Sequence, residues 1–386
     1  MIPLLVIATL GVAASIVYYL AASVTAMRFV ARRIKPPPPM PQPAPHLAVL
    51  KPLHGMREGL LENGISYLES GYPHADFYFA VHGYEDRALD VPVSLRAKYP
   101  NARITLVVGD EPGVQNRKIA KVIRMAERAN GAAVYVMSDA DISVDRGHLN
   151  TIVGELFADD RIGIVTCLYR AVPADTIPSR LSALFVNTDF VPMVLLSAAI
   201  EPVRYAMGAT IAVRREALEA IGGFRVLGDL LADDYELGRR VADAGWKIAI
   251  SRSIVTSTCA EHSFAEFWTH KLRWARTYRV ARPISILTIL INGPLWALVL
   301  LAATGASRSA IAALAAVLIA RIGMSALMLG PVLKLPHLLR DVWLAPIKDL
   351  VMAVVWGASL LGDTVRWGGR QFRITSDGAM REIIDG

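Results

Sequence analysis

The stretch Ala133-Val134-Tyr135-Val136-Met137-Ser138-Asp139-Ala140-Asp141 decides the fold. Its first five residues form a short apolar run containing valine and tyrosine, and two carboxylates follow almost at once. Such a run reads as a buried strand that delivers acidic side chains to the edge of a sheet. Comparable runs lie at residues 47–53, 76–82, 103–108 and 162–168, separated by segments of helical pattern. Strands alternating with helices predict an α/β domain with a mainly parallel sheet. In such sheets ligands bind beyond the carboxyl ends of the strands, so the residues just after each run matter most.

This domain sits inside a chain of membrane composition. Of its 386 residues 54% are hydrophobic and 19% charged, with a mean hydropathy of +0.39. Average soluble proteins carry roughly 25% charged residues. Intrinsic disorder is excluded, and a wholly soluble globule is disfavoured. Cys167 and Cys259 are the two cysteines, which excludes a disulfide framework and a cysteine-based zinc site and suits a reducing compartment.

Residues 2–27 contain no charged side chain and are long enough to cross a hydrocarbon layer, which takes about 20 helical residues. Arg28, Arg32, Arg33 and Lys35 follow. A cleaved signal peptide would carry its basic residues before a shorter apolar core, so the order here predicts an uncleaved anchor. The positive-inside rule then places residues 1–35 as an anchor with its basic flank in the cytoplasm. Residues 36–45 are a proline-rich spacer and 46–282 the cytoplasmic catalytic domain. Residues 283–386 are expected to form a C-terminal membrane region and basic tail. Its spans are expected at 284–306 and 309–333, with Arg321 turned to protein or water. A third stretch, 342–361, is interrupted by Lys348 and Asp349 and fits an interfacial or re-entrant segment as well as a span. The net charge of +7 is concentrated in clusters beside these segments, where anionic lipid head groups explain it and nucleic acid does not.

Asp86 follows the second strand, and Asp139 and Asp141 follow the fourth. An aspartate after a strand is commonly a turn-former or helix cap. Two at i and i+2 also suit a hard divalent cation, since magnesium is held by one or two carboxylates plus substrate phosphates. Asp233 and Asp234 open a helical pattern, where they either cap it or serve chemistry. The segment His270-Lys271-Leu272-Arg273-Trp274 lies beside Phe264, Phe267 and Trp268 in a basic aromatic helix of membrane-surface type.

Taken in this order, the pieces resemble the GT-A glycosyltransferases of family 2 and 21 type, specifically the ceramide glucosyltransferase family with its bacterial hopanoid-biosynthesis branch. The resemblance runs from the anchor through Lys51-Pro52-Leu53 to the tail. It rests on Asp86, on Asp139 and Asp141, on Asp234 and on the Arg273-Trp274 pair, with Asn116 and Lys118 matching an Asn-x-Lys element. Gly222-Gly223-Phe224 and the stretch 208–214 resemble the acceptor-side segment of the fold. The chain departs from the family pattern at His270, where Gln or Arg is usual, and at Arg87, where proline is common.

The resemblance implies an inverting, non-processive hexosyltransferase at the inner membrane of a bacterium, multi-pass and with its catalytic domain cytoplasmic. It implies a UDP-sugar donor and a lipid acceptor in the membrane, with N-acetylglucosamine passing to a hopanoid polyol. A ceramide glucosyltransferase using UDP-glucose is the main alternative, and a processive polysaccharide synthase and an inactive membrane scaffold are the others. The implied roles are base for Asp234, metal ligation of Mg2+ or Mn2+ for Asp139 and Asp141, and donor binding for Asp86, Asn116 and Lys118. Arg273 is implied at the diphosphate and Trp274 at the acceptor, with Asp233 a neighbour of the base.

Overall fold

In chain order the strands around the acidic motifs are β1 (Leu47–Pro52), β2 (Ala75–Val81), β3 (Ile104–Val108), β4 (Val134–Ser138), β5 (Ile142–Ser143), β6 (Ile162–Thr166), β7 (Tyr169–Pro173), β8 (Thr210–Arg214), β9 (Lys247–Ile250) and β10 (Val255–Cys259). The computed structural model describes residues 2–383. Seven of these strands form one sheet in the order β3-β2-β1-β4-β8-β6-β9. Every neighbouring pair is parallel except the two that β8 makes, which are antiparallel. The expected α/β fold with a mainly parallel sheet is the fold observed.

The five strands read from the sequence are present, and β8 and β9 are additional. Alternation across the pleat gives this sheet two cores. Leu47 and Val49 of β1 pack with Phe77, Phe79 and Val136 on one face. Ala48 and Leu50 pack with Ile119, Val122 and Met137 on the other. Because β8 runs against its neighbours, it enters the sheet at the edge where the parallel strands leave it, and Thr210 pairs with Ser138. That reversal brings residues 208–210 to the acidic edge.

The chain divides into two compact units. One comprises Lys35–Tyr169, Pro202–Thr258 and Arg373–Gly386 and contains the large sheet. The other comprises Met1–Ile34, Arg170–Glu201 and Cys259–Phe372 and contains the apolar helices. Within the expected segment 46–282, Arg170–Glu201 and residues 259–282 group with the unit of the apolar helices.

Four helices are long and apolar enough to cross a membrane: Ile2–Ile34, Ile177–Ile200, Arg308–Val332 and Pro336–Ser359. A fifth candidate is the pair Pro283–Ile291 and Gly293–Ala303, bent by 55°. At the bend Asn292 caps the second helix by accepting from Leu295 N at 3.2 Å, and Pro294 suits its first turn. The expected span at 284–306 is therefore a broken one. Ile177–Ile200 was hidden in the sequence by the polar triplet Asn187-Thr188-Asp189.

In the structure these polar residues have partners. The triplet lies in a π-turn, Val186–Phe190, and the Asn187 amide exchanges two 2.8 Å bonds with the backbone of Ala171. Asp189 accepts from Arg321 Nη2 at 2.5 Å and from Lys348 Nζ. Arg321 also holds Asp349 at 2.7 and 2.8 Å and Thr188 O at 3.0 Å. Two cations and two anions so neutralise one another inside the apolar unit, the arrangement that makes buried charge tolerable. Close packing elsewhere depends on small residues, and a Cβ on Gly11 would collide with the Trp296 ring.

Candidate active site

The parallel strands deliver the motif residues to one edge of the sheet. Lys51 is the last residue but one of β1, Asp86 follows β2, the helix Arg117–Arg128 carries Lys118 after β3, and Asp139 follows β4. Asn116 caps that helix, accepting from Ile119 N at 3.1 Å, while its amide donates to Leu230 O at 2.8 Å. It is fully buried, so it positions Lys118 and the residue 230 loop from within the protein.

Lys118 stands between two carboxylates, 2.8 Å from Asp139 Oδ1 and 3.0 Å from Asp233 Oδ2. Burial works to lower its pKa, but Asp139, Asp233 and Asp234 outweigh it and hold the ammonium charged. Asp234, in the first turn of the helix Asp233–Asp243, accepts from Gly208 N at 2.6 Å and from Tyr235 N at 2.8 Å. Burial and the neighbouring Asp233 push its pKa up to about 6, against the pull of Lys118. That places a carboxylate near the operating range of a general base.

Gly208 is the point where these groups meet. A Cβ there would stand 3.0 Å from Asp234 Oδ2 and 3.4 Å from both Asp139 Oδ2 and Lys118 Nζ. Only a residue without a side chain lets the backbone come this close without displacing one of them.

The loop that carries Asp139 is fixed from below by Lys51. Its Nζ donates to Asp139 O at 2.9 Å, Ile142 O at 3.2 Å and Ser138 Oγ at 3.4 Å. It also lies 4.3 Å from the centroid of the Tyr67 ring, whose hydroxyl donates to Ser138 Oγ at 2.6 Å. Burial lowers the Lys51 pKa to about 7, with Asp141 and Asp139 opposing. The sequence offered Lys51 only as part of a motif, and its three contacts are what reveal its use.

Asp141 accepts from Ser257 Oγ at 2.6 Å, and burial followed by the charge of Asp139 raises its pKa. The charge of Asp139 beside the buried Asp141 is one that a divalent cation would offset. Among the described residues no three His, Cys, Asp or Glu side chains gather as a metal cluster. The pair therefore fits a cation completed by phosphate and water oxygens better than a closed protein cage.

Asp86 caps the turn Arg87–Leu89, accepting from Ala88 N at 2.9 Å and Gly55 N at 3.0 Å, with His54 Nδ1 at 3.7 Å. Arg273 and Trp274 lie in the other unit, on the helix Phe264–Ala281. There the Trp274 ring has the His270 ring edge-on at 5.0 Å and Lys271 Nζ at 4.7 Å. His270 Nδ1 is 2.7 Å from Glu261 Oε1, which also accepts from Ser182 Oγ at 2.6 Å. Glu261 and Ser182 are neighbours of His270 that no motif announced.

The chain is similar to Ceramide glucosyltransferase 1 of Caenorhabditis elegans, with 24% identity over 244 residues, 63% of this chain and 51% of that protein. Ceramide glucosyltransferase 3 of the same organism is 24% identical over 232 residues, covering 60% and 50%. Probable glycosyltransferase YdaM of Bacillus subtilis is 23% identical over 239 residues, covering 60% and 55%. The chain spans about half the length of these curated relatives. Among solved structures it is similar to the mannosyltransferase PcManGT of Pyrobaculum calidifontis, determined in complex with GDP-Man and Mn2+, at 20% identity and a TM-score of 0.49. That match covers 89% of this chain and 99% of that one. The family described as Glycosyl transferase family 21 matches residues 7–380, nearly the whole sequence, and the chain belongs to it.

Proposed function

We propose that this glycosyltransferase moves a sugar from a UDP-sugar to the hydroxyl of a membrane lipid with inversion at the anomeric carbon. The observation that carries the reading is the meeting of Asp139, Asp234 and Lys118 around Gly208 at the carboxyl edge of the sheet. Asp234 takes the proton of the acceptor hydroxyl as its oxygen bonds to the anomeric carbon. The bond from that carbon to the diphosphate breaks, and the nucleoside diphosphate leaves. Lys118, held charged, orients Asp139 and lends positive potential to the phosphate side.

When bound, Mg2+ or Mn2+ on Asp139 and Asp141 would supply the charge that stabilises the leaving diphosphate. Asp86 is assigned to the uracil or ribose, Arg273 to the diphosphate through its planar donors, and Trp274 to the acceptor. Asn116 serves by positioning Lys118. The apolar helices support a lipid acceptor, which cannot leave the bilayer cheaply. We place the catalytic domain on the cytoplasmic side of a bacterial inner membrane, with the basic clusters against anionic head groups.

For the finer identity, N-acetylglucosamine and a hopanoid polyol are the reading, supported by the apolar C-terminal block and the Trp367-Gly368-Gly369-Arg370 tail. Ceramide with UDP-glucose is the second reading, favoured by the two ceramide glucosyltransferases among the relatives. Purified protein in lipid nanodiscs, given each donor with each acceptor, tests both by mass spectrometry of the lipid, with the anomeric configuration read by NMR. Glycosylation of neither lipid class from any UDP-sugar would overturn the proposal.

A further inference from the structure

We infer that the segment Thr375–Met380, which follows the last apolar helix, positions the loop that leads into the helix bearing the proposed base. This rests on the reading of Asp234 given above. In the sequence the segment belongs to a basic tail whose evident use is to meet lipid. In the structure it pairs with protein backbone: Met380 N donates to Asp229 O at 2.7 Å, Leu231 N donates to Gly378 O at 3.3 Å, and Leu230 and Ala379 form an antiparallel bridge.

The partner residues stand immediately before Asp233 and Asp234. On its other side the same loop is held by the helix cap that precedes Lys118. Asn116 N donates to Gly228 O at 2.8 Å, Asn116 Nδ2 to Leu230 O at 2.8 Å, and Gln115 N to Asp229 Oδ1 at 3.1 Å. Residues 228–231 are thus clamped between a cap and the tail, and the helix bearing Asp234 starts two residues later.

The tail is built to hold this shape. Thr375 N and Thr375 Oγ1 both donate to Ala379 O, at 2.9 and 3.0 Å, and Gly378 N donates to Thr375 O at 2.9 Å. Thr375 Oγ1 also reaches Asp377. Met380 is 2% exposed and Ile374 5%. A tail held only by lipid would need neither a closed turn nor buried side chains. The segment therefore acts as a positioning element, working through residues 229–231 on the placement of Asp234 relative to Gly208. It contributes no group to the reaction.

The test uses the full-length enzyme in nanodiscs and two variants, deletion of residues 375–386 and Met380→Pro. Proline removes the N–H given to Asp229 O together with the buried Met380 side chain, and keeps the other residues of the tail. Each is measured for kcat, donor KM and UDP affinity by calorimetry, alone and combined with Asp234→Asn. The expected result is a fall in kcat of about ten- to a hundred-fold with donor KM and UDP affinity within about two-fold, the pattern of a misplaced base. In the Asp234→Asn background the same changes should cost no further turnover, because the group they position is already disabled. Restoration of kcat in the deletion by a synthetic peptide of residues 373–386 adds support.

Unchanged kcat in Met380→Pro and the deletion would overturn the inference while leaving the base assignment intact. Losses that multiply with Asp234→Asn would also overturn it, since the tail would then act elsewhere. Full turnover by Asp234→Asn alone would instead overturn the base assignment. If the deletion abolishes UDP binding, Met380→Pro decides.

Discussion

Gly208 donates its backbone N–H to Asp234 Oδ2 at 2.6 Å, so the proposed base is aimed by a residue that has no side chain to spare. The bond fixes one carboxylate oxygen, and Tyr235 N fixes the other. Alanine at 208 would set a Cβ 3.0 Å from the same oxygen and 3.4 Å from Asp139 and Lys118. Something must shift by a few tenths of an ångström. Gly208→Ala is expected to lower kcat by about ten-fold or more, with a small change in thermal stability. Steady-state kinetics beside a melting curve checks it. Wild-type turnover would show that this contact does not set the base.

Asp234→Asn keeps the shape of the side chain and removes its ability to take a proton. Turnover should fall by roughly 10² to 10⁴-fold while UDP binding changes little. The pH profile follows from the pKa near 6, raised by burial and by Asp233. The base works when ionised, so kcat should decline as pH falls through about 6. Stability carries the opposite sign. A folded pKa above the unfolded value of about 3.9 means that the folded state binds the proton more tightly. Protonation of Asp234 therefore stabilises the fold between about pH 6 and 4, and ionisation above pH 6 costs stability. A kcat profile flat to pH 5 would remove Asp234 from the role.

Much of the site was legible because its residues follow strands that announce themselves by composition. Asp86, Lys118 and Asp139 come to one edge because β1 to β4 are parallel, and parallel order was implied by the alternation of strands and helices. What could not be read was the reversal of β8, five residues with no turn signal to give direction, and hence the arrival of Gly208 among the carboxylates. Asn116 was read by its motif as a donor ligand, yet in three dimensions it is a buried helix cap. The helix Ile177–Ile200 escaped notice because hydropathy cannot see that Asp189 has cationic partners more than a hundred residues away. Pairing across such distances is a property of the fold and leaves no local mark.

Asp139→Ala and Asp141→Ala should weaken divalent-dependent binding of the UDP-sugar, seen as a raised donor KM and a raised metal requirement. Asp233→Ala should be milder than Asp234→Ala, since Asp233 meets Lys118 and has no bond to Gly208 in the structure. Titration of UDP with and without EDTA measures the metal share. Full activity in excess EDTA, or with either Asp139 or Asp141 removed, would end the metal assignment.

Lys51→Met removes three hydrogen bonds beneath the Asp139 loop; Asp139 O keeps Ile142 N at 3.3 Å, while Ile142 O loses the lysine as its donor. An unpaired buried carbonyl costs about 1–3 kcal/mol. The loss should appear both in stability and in donor KM, because the loop carries both proposed metal ligands. Lys51→Arg keeps the charge in a bulkier fork that the packed site cannot accept, and it should not rescue. A Lys51→Met enzyme with unchanged donor KM would confine the residue to structure.

Arg321 is 1% exposed and bonds Asp189, Asp349, Thr188 and Ser325 from within an apolar helix. Its replacement by alanine would leave the buried Asp349 and the partly buried Asp189 facing Lys348 alone. Breaking a buried pair by removing one partner typically costs about 3–5 kcal/mol, because the charge left behind has lost both its partner and its water. Arg321→Ala should therefore fall in yield from the membrane and melt early in detergent. The combined change Arg321→Met with Asp349→Leu removes one charge of each sign and leaves Asp189 and Lys348 paired, so it should recover much of the loss. UDP affinity of whatever protein survives should fall less than the yield, because Asp86, Lys118 and Asp139 lie in the unit that holds the large sheet, with Arg273 in the other. Equal instability in the single and double variants would mean that packing around Arg321, rather than charge balance, holds these helices together.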